Sequence, residues 1–212
     1  MTNIIIIGAG SVGCHIVCNI RQYFPNTNVI GFLDDDQKKI GKKFFNIPVI
    51  GSIDSLPKFG DNIGLVVGIA FPQIKKMIIE RITTYGQYNF PSLISNHAWI
   101  SNKVTIGEGT IIYPGASVNY NTKIGAFSIL NLNCAIGHDC IINDYSSLAP
   151  SVSLAGHTKV GNECELGIGS CSIQSVSIGN GAVIGAGTVL IRDVPDYAVV
   201  VGNPGKVIKY NK

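Results

Sequence analysis

Two histidines in the second half of the chain stand beside residues that would complete an acid–base site. His138 is followed directly by Asp139, and His157 is preceded by Gly156. An imidazole has a usual pKa of about 6.5, which suits the removal of a proton from an attacking group near neutral pH. The alternatives are exposed histidines without a role, or a metal site. The two histidines have no third one near them in the sequence, so we expect no metal.

A second group of residues with a chemical pattern lies near the N-terminus, in the segment Gly-Ala-Gly-Ser-Val-Gly at positions 8–13. This GxGxxG pattern follows an apolar run and opens a helical one, and two aspartates end the next apolar run. Glycines let a phosphate approach the backbone, a helix N-terminus supplies N–H donors, and a carboxylate can bind a ribose hydroxyl. The residues expected to bind a nucleotide are Gly8, Gly10, Ser11, Gly13, Asp34 and Asp35.

Three interpretations of this glycine-rich loop are open: a turn without a ligand, an NAD(P) site, and a site for a nucleotide-linked substrate. Only about ninety residues precede the next region, which is enough for one mononucleotide-binding half rather than a complete dinucleotide fold. That next region offers no evident site for a hydride acceptor. We therefore prefer the nucleotide part of a substrate over a redox cofactor.

The elements that hold this loop follow from the hydrophobic periodicity of the first ninety residues. A continuous apolar run at 4–7 is typical of a strand buried on both faces, and helical spacing follows the glycines up to about Tyr23. Further strands are predicted at 28–33 and 63–69, and a helix at Pro72. The alternation predicts a small Rossmann-like α/β domain with a parallel sheet.

A six-residue period governs the rest of the chain. Every sixth residue from Ile94 to Leu190 is aliphatic at sixteen of seventeen positions, with Ser172 as the exception. Four positions later the residue is always small, at all fifteen positions from Val104 to Thr188. Gly often follows the aliphatic residue, which we attribute to the φ angle of a corner. This register predicts a parallel β-helix for residues 91–212, with three short strands in each coil of about eighteen residues.

The eighteen-residue coil places residues of neighbouring coils on top of one another. Gly156 should therefore lie against His138, and His157 against Asp139. A glycine beside the imidazole leaves room for a substrate and exposes its backbone N–H, which suits a thioester carbonyl that develops negative charge.

Composition and charge exclude several classes of protein. Of 212 residues, 46% are hydrophobic and 14% are charged, so the chain can build a core and is not disordered as a whole. The net charge of +3 falls within residues 1–90, without the clustered basic stripe that nucleic acids require. No apolar run is long enough to span a bilayer, no secretory signal is evident, and the six cysteines form no CxxC pair. We expect a cytoplasmic protein that binds neither nucleic acid nor membrane.

The repeats resemble those of a known family. The hexads that begin at Ile106, Val160 and Ile184 are similar to those of the hexapeptide-repeat acyltransferases. Together with the glycine-rich domain, the whole chain resembles the sugar-nucleotide N-acetyltransferases and the sialic-acid O-acetyltransferase-like proteins, most specifically at residues 129–142. The resemblance implies a left-handed β-helix, a homotrimer with active sites between subunits, and acetyl-CoA as second substrate without a metal.

The resemblance also implies roles for individual residues. His138 would be the general base, Asp139 would increase its basicity, and Asn131 would lie near the reacting groups. The glycine-rich loop and the two aspartates would hold a UDP- or dTDP-linked sugar. Acetyl-CoA would follow the groove between subunits along Ser147, Gly156, His157, Ile168 and Ala186.

One departure from the family pattern concerns the substrate. Ala70 and Phe71 follow the third strand, where relatives often have a glycine and a polar residue. The leading hypothesis is direct acetyl transfer from acetyl-CoA to the amine of a nucleotide-linked amino sugar. O-acetylation of a sugar hydroxyl would use the same fold and base. An NAD(P)-dependent oxidoreductase would bind nicotinamide nucleotides and no CoA, and a scaffold would bind none of these ligands.

Overall fold

The chain divides into two compact units between Leu93 and Ile94, in a computed structural model that describes residues 2–211. The first unit is a Rossmann-like α/β domain and the second is a left-handed parallel β-helix. The fold class predicted from the sequence is thereby confirmed. No helix in the described part of the chain is long and apolar enough to cross a membrane.

The α/β unit consists of five strands, three α-helices and one 3₁₀ helix. In chain order these are β1 (Thr2–Ile7), α1 (Ser11–Cys18), α2 (Ile20–Tyr23), β2 (Thr27–Leu33), β3 (Lys43–Phe44), β4 (Ile47–Gly51), the 3₁₀ helix (Ile53–Phe59), β5 (Gly64–Val67) and α3 (Pro72–Thr83).

The five strands form one sheet in the order β3-β4-β2-β1-β5. All neighbours are parallel except β3 and β4, which pair antiparallel. Ile4 to Ile7 of the central strand β1 are at most 1% exposed, as expected for a parallel strand covered on both faces. The glycine-rich loop leaves the carboxyl end of β1, at the edge of the sheet where α/β proteins bind ligands.

Three details of this unit differ from the sequence prediction. The helical stretch up to Tyr23 is interrupted at Asn19, where φ is −117° and ψ is 15°. The carbonyl oxygen of His15 accepts both the backbone N–H of Asn19 at 3.1 Å and its side-chain amide at 2.9 Å. The strand predicted at 63–69 ends at Val67, so Gly68 follows it directly. The expectation that Ala70 and Phe71 directly follow this strand, the third of those predicted, was therefore wrong. The short strands β3 and β4 were not predicted.

The β-helix consists of seventeen two-residue strands and a final hairpin, with the boundary between the units inside its first strand. In chain order these are β6 (Leu93–Ile94), β7 (Trp99–Ile100), β8 (Thr105–Ile106), β9 (Ile111–Ile112), β10 (Ser117–Val118), β11 (Lys123–Ile124), β12 (Ile129–Leu130), β13 (Ala135–Ile136), β14 (Ile141–Ile142), β15 (Ser147–Leu148), β16 (Ser153–Leu154), β17 (Lys159–Val160), β18 (Glu165–Leu166), β19 (Cys171–Ser172), β20 (Ser177–Ile178), β21 (Val183–Ile184), β22 (Val189–Leu190), β23 (Ala198–Val201) and β24 (Lys206–Tyr210).

These strands stack into three faces. The first face contains β6, β9, β12, β15, β18, β21, β23 and β24; the second contains β7, β10, β13, β16, β19 and β22; the third contains β8, β11, β14, β17 and β20. Paired residues are eighteen apart, as where Ala135 lies opposite Ser153 and Ile136 opposite Leu154. The predicted eighteen-residue register is confirmed.

The interior of the β-helix holds the aliphatic residue of each hexad, and the one polar exception is accommodated by hydrogen bonds. Ser172 is 9% exposed. Its hydroxyl lies 2.9 Å from that of Thr158 and accepts the N–H of Ala155 at 3.3 Å. Because the polar group has partners inside the prism, its burial costs little.

The corners of the coils differ from the prediction in their use of glycine. The residues with positive φ lie three positions after the aliphatic residue, and most are not glycine; they include Asp139 at 57° and His157 at 62°. The glycines directly after the aliphatic residue serve close packing. A Cβ on Gly137 would lie 2.6 Å from the backbone nitrogen of Gly156 in the next coil. The attribution of these glycines to the corner φ angle was therefore wrong.

Candidate active site

His138 and Asp139 form a hydrogen-bonded pair in the turn between β13 and β14. The distance from His138 Nδ1 to Asp139 Oδ2 is 2.8 Å. A carboxylate only accepts hydrogen bonds, so Nδ1 carries the proton and Nε2 presents its lone pair. The half-buried imidazole is thereby fixed in the tautomer that a general base needs.

Asp139 is held from the preceding coil. The side-chain amide of Asn121, eighteen residues earlier, donates to Asp139 Oδ1 at 2.5 Å. This hydrogen bond, followed by that from His138, holds the pKa of Asp139 below its usual range. The carboxylate is therefore charged when the neighbouring imidazole needs an oriented acceptor.

The His138 ring lies between two coils. On one side it stacks on Tyr120, with ring centroids 5.5 Å apart and planes 9° apart. On the other side lies Gly156, where an added Cβ would come 2.7 Å from His138 Nε2. His157 meets the ring edge-on, with centroids 5.0 Å apart and an interplanar angle of 89°. The structure thus brings His138, Gly156 and His157 together, as the register predicts.

Gly156 is a buried residue packed between neighbouring coils. Its backbone N–H donates to no atom in the part of the chain that the structure describes, and its nitrogen would lie 2.6 Å from a Cβ on Gly137 of the preceding coil. The group at this corner that can act on a substrate is therefore His138, whose Nε2 lone pair can take a proton from a nucleophile.

A metal-binding arrangement also exists at this corner. His138, Asp139 and His157 each have one donor atom within 4.8 Å of the others, so the stacking of coils supplies a third ligand that the sequence does not show. Both carboxylate oxygens of Asp139 already accept hydrogen bonds, from His138 and from Asn121. The group is therefore organised as a hydrogen-bonded base.

The remaining predicted residues of the acetyl-transfer site lie elsewhere on the β-helix. Asn131, Ile168 and Ala186 follow strands of the first face and precede strands of the second, while Ser147 lies on the first face itself. His138 and Gly156 occupy the corner between the second and third faces. The Asn131 side chain accepts the N–H of Leu132 at 2.7 Å. One chain alone does not bring these two groups together.

The buried cysteines of the β-helix are not activated nucleophiles. Cys134 and Cys164 are fully buried, and burial raises the pKa of each thiol to about 11. A nucleophilic cysteine needs a lowered pKa and access to solvent. This favours direct transfer without a covalent enzyme intermediate.

The glycine-rich loop of the α/β unit is built by close backbone packing. Gly8 has φ at +96° and donates its N–H to the carbonyl oxygen of Leu33 at 2.8 Å. A Cβ on Gly13 would collide with the carbonyl oxygen of Gly8, and one on Gly68 would lie 2.8 Å from the Gly13 Cα. The exposed Gly10 is the N-cap of α1, without a side-chain cap. The first N–H groups of α1 are therefore open to an anion.

Asp34 binds the loop of its own chain. Its Oδ2 accepts the N–H of Ala9 at 2.8 Å and the Lys39 ammonium at 2.9 Å, and its Oδ1 accepts the N–H of Asp36 at 2.9 Å. Burial acts to raise the pKa of Asp34, but the hydrogen bonds from Lys39, Asp36 and Ala9 outweigh it and lower the pKa. Three of the about four lone-pair positions of the carboxylate are therefore occupied by its own chain, and one is left for a ribose hydroxyl.

Asp35 is also engaged within the unit. Arg81 donates to Asp35 Oδ2 at 2.7 Å, and the N–H of Ile53 donates to Oδ1 at 3.1 Å. Arg81 pairs as well with Asp54, which Tyr85 contacts through its hydroxyl at 2.5 Å. Asp35 therefore ties α3 to the start of the 3₁₀ helix.

A cleft of about 330 Å³ lies over the glycine-rich loop. This volume is within the range of small-molecule sites. Of the residues predicted to bind a nucleotide, Gly8, Gly10, Ser11, Asp34 and Asp35 line the cleft, whereas Gly13 supports the loop from behind. The sequence prediction missed the residues that follow β5 and begin α3. These are Gly68, Ile69, Ala70, Phe71, Ile74 and Ile78.

Comparison with known proteins identifies the family. Residues 3–82 match the PglD N-terminal domain family. The chain is 30% identical to GDP-perosamine N-acetyltransferase of Escherichia coli O157:H7, over 96% of this chain and 95% of that protein.

Two solved structures have the same architecture over nearly the whole chain. A histidine-to-asparagine mutant of perosamine N-acetyltransferase from Caulobacter crescentus, in complex with CoA and GDP-perosamine, matches with a TM-score of 0.89 and 27% identity over 99% of this chain and 98% of that one. The acetyltransferase domain of PglB from Neisseria gonorrhoeae, in complex with acetyl coenzyme A, matches with a TM-score of 0.87 and 29% identity over 97% and 98%. The chain belongs to the hexapeptide-repeat sugar N-acetyltransferase family, and the family and enzyme class predicted from its sequence are confirmed.

Proposed function

We propose that the protein transfers the acetyl group of acetyl-CoA to the amine of a nucleotide-linked amino sugar, with His138 as the general base. The observation that carries the proposal is the hydrogen-bonded pair of His138 and Asp139. The bond from Nδ1 to the carboxylate, 2.8 Å long, leaves the lone pair of Nε2 free to take a proton.

The reaction follows from this geometry. The sugar nitrogen attacks the thioester carbonyl while His138 Nε2 takes its proton. The C–S bond then breaks as the carbonyl re-forms. The proton on the imidazole passes to the leaving sulfur, so that the products are an amide and CoA. Asp139 stabilises the imidazolium between these two transfers.

The α/β unit holds the nucleotide in this proposal. The diphosphate of the nucleotide lies at the N-terminus of α1, where the loop glycines leave room for it. Lys39 supplies a positive charge in the same cleft. The sequence favoured a UDP- or dTDP-linked sugar. The relatives named for GDP-perosamine make a GDP-linked sugar the first candidate to test.

The active sites lie between subunits of a homotrimer in this proposal. The support is the separation of the predicted groups within one chain, since Asn131, Ser147, Ile168 and Ala186 lie away from the His138 corner. A neighbouring copy would supply them across a groove that holds acetyl-CoA. Light scattering should then give the mass of three chains, and a fully active monomer would contradict this arrangement.

The substrate proposal is tested by measuring CoA release with a panel of acceptors. UDP-, dTDP- and GDP-linked amino sugars are compared with the same sugars carrying a hydroxyl at that carbon. We expect release only with an amino sugar. Release with the hydroxyl series alone would favour an O-acetyltransferase.

A thermal-shift screen with NADH, NADPH and acetyl-CoA tests the alternative of an NAD(P)-dependent oxidoreductase, because a bound ligand raises the melting temperature. We also propose a cytoplasmic location, which the use of acetyl-CoA supports.

A further inference from the structure

The cleft of the α/β unit has an apolar wall that phosphate binding does not use. The glycine-rich loop, the start of α1 and Lys39 account for the polar side. The lining residues that follow β5 are apolar and include Ile69, Phe71 and Ile74. Apolar side chains of this kind have no favourable contact with a diphosphate or a sugar hydroxyl. They need a flat or apolar part of the ligand.

Phe71 combines exposure with a fixed position. Its side chain is 62% exposed, and that of Ile74 is 44% exposed, although both line the cleft. Phe71 is the N-cap of α3, with φ at −66° and ψ at 116°, and its carbonyl oxygen accepts the N–H of Lys75 at 2.9 Å. Pro72 restricts its backbone further. The ring is thus presented to the cleft by an anchored backbone.

We propose that Phe71, with Ile74 beside it, forms a platform on which the base of the nucleotide stacks. This inference rests on the proposed function, because it assigns the remaining part of the same ligand. With the diphosphate at the N-terminus of α1, the sugar-nucleotide base is the flat group left to cover the apolar wall. Purine and pyrimidine bases all present a π-face to an aromatic ring. Phe71 therefore selects nucleotides over simple sugar phosphates.

The platform is tested by titration calorimetry with GDP, UDP, dTDP and inorganic pyrophosphate. The proteins compared are the unmodified enzyme and its Phe71→Ala, Phe71→Tyr and Phe45→Ala variants. Phe45 is a matched control, because it is also 62% exposed and lies outside the cleft. Phe71→Ala should weaken the nucleoside diphosphate that binds by about fivefold to a hundredfold, the range found for base–aromatic stacking. Pyrophosphate binding should not change, Phe71→Tyr should restore the affinity, and Phe45→Ala should behave as unmodified enzyme.

The outcomes separate this inference from the proposed function. Nucleoside diphosphate binding that survives Phe71→Ala overturns the platform while the proposed function stands. An equal loss for pyrophosphate also overturns it, because the change would then reach the phosphate side. A change in subunit number without a change in nucleotide affinity would assign Phe71 to a protein contact instead. If none of GDP, UDP and dTDP binds the unmodified enzyme, the proposed function itself fails, and the platform with it.

Discussion

The two units differ in how they leave their polar groups before a substrate arrives. In the β-helix, His138 Nδ1 is held by Asp139 and Asp139 by Asn121, which leaves the Nε2 lone pair free. In the α/β unit, Asp34 already has three donors of its own chain. The catalytic base is therefore oriented with its proton-accepting atom free, whereas the carboxylate at the nucleotide cleft is largely occupied by internal partners before a ligand binds.

The largest effect on kcat is expected when the general base of the β-helix is removed. His138→Ala should lower kcat by about a hundredfold or more, because it removes the proton acceptor. Acetyl-CoA binding and the melting temperature should change little, since the side chain is half-buried and at the surface.

His97→Ala is the matched control for this change. His97 is exposed and lies outside both sites, so its variant should keep the kcat of the unmodified enzyme. Equal activity of the two alanine variants would remove His138 from the mechanism.

A pair of core substitutions tests whether the two units unfold independently. Leu65 in β5 and Leu130 in β12 are both 0% exposed. Each change to Ala should cost about 2–5 kcal/mol. Hydrogen exchange should show the loss of protection within residues 2–93 for Leu65→Ala and within residues 94–211 for Leu130→Ala. Identical exchange patterns for both variants would mean that the chain unfolds as one unit.

Gly156→Ala sharpens the comparison without removing any functional group. The new Cβ would lie 2.7 Å from His138 Nε2, so the imidazole has to move away from Gly156. A displacement of this size should lower kcat by about tenfold to a hundredfold. Circular dichroism melts show whether the fold survives. A folded variant with unchanged kcat would contradict the placement of Nε2 beside Gly156 during the reaction.

The smallest effect is expected on the stability of the α/β unit, when the carboxylate of Asp34 at the nucleotide cleft is changed. Asp34→Asn weakens three internal hydrogen bonds and should cost about 1 kcal/mol of stability. The pKa of Asp34 is lower in the folded state, so its contribution is complete above the usual carboxyl pKa of 3.8 and is lost as the pH falls through the lower folded value. The unmodified α/β unit should therefore lose more stability on acidification than the variant does. The free energy of unfolding is measured by urea denaturation at several pH values. An equal decrease for both proteins on acidification would contradict this.

The contacts within the β-helix could be predicted from the sequence, because they depend only on the number of residues in one coil. The eighteen-residue spacing placed Gly156 on His138 and His157 on Asp139. Applied in the opposite direction, the same spacing leads to Tyr120 and Asn121, which the sequence prediction missed although the signal was present.

The α/β unit offered no comparable rule. Its fold class followed from periodicity, but the end of β5 at Val67 did not, because Ile69 is as apolar as the strand before it. Because the predicted strand extended two residues too far, the sequence did not show that Gly68 and the apolar residues around Phe71 line the cleft. Likewise, the contact of Lys39 with Asp34 depends on the path of the loop after β2, which no local pattern encodes.

The central claim, direct acetyl transfer to a nucleotide-linked amino sugar, is tested most directly by following an isotope-labelled acetyl group. The enzyme is mixed with labelled acetyl-CoA and the amino sugar that gives CoA release, and protein and products are separated by mass spectrometry during the first turnover. We predict that the label appears as an amide on the nucleotide sugar, with no labelled protein at any time. A label that appears first on the protein, or on a sugar hydroxyl, would contradict the mechanism.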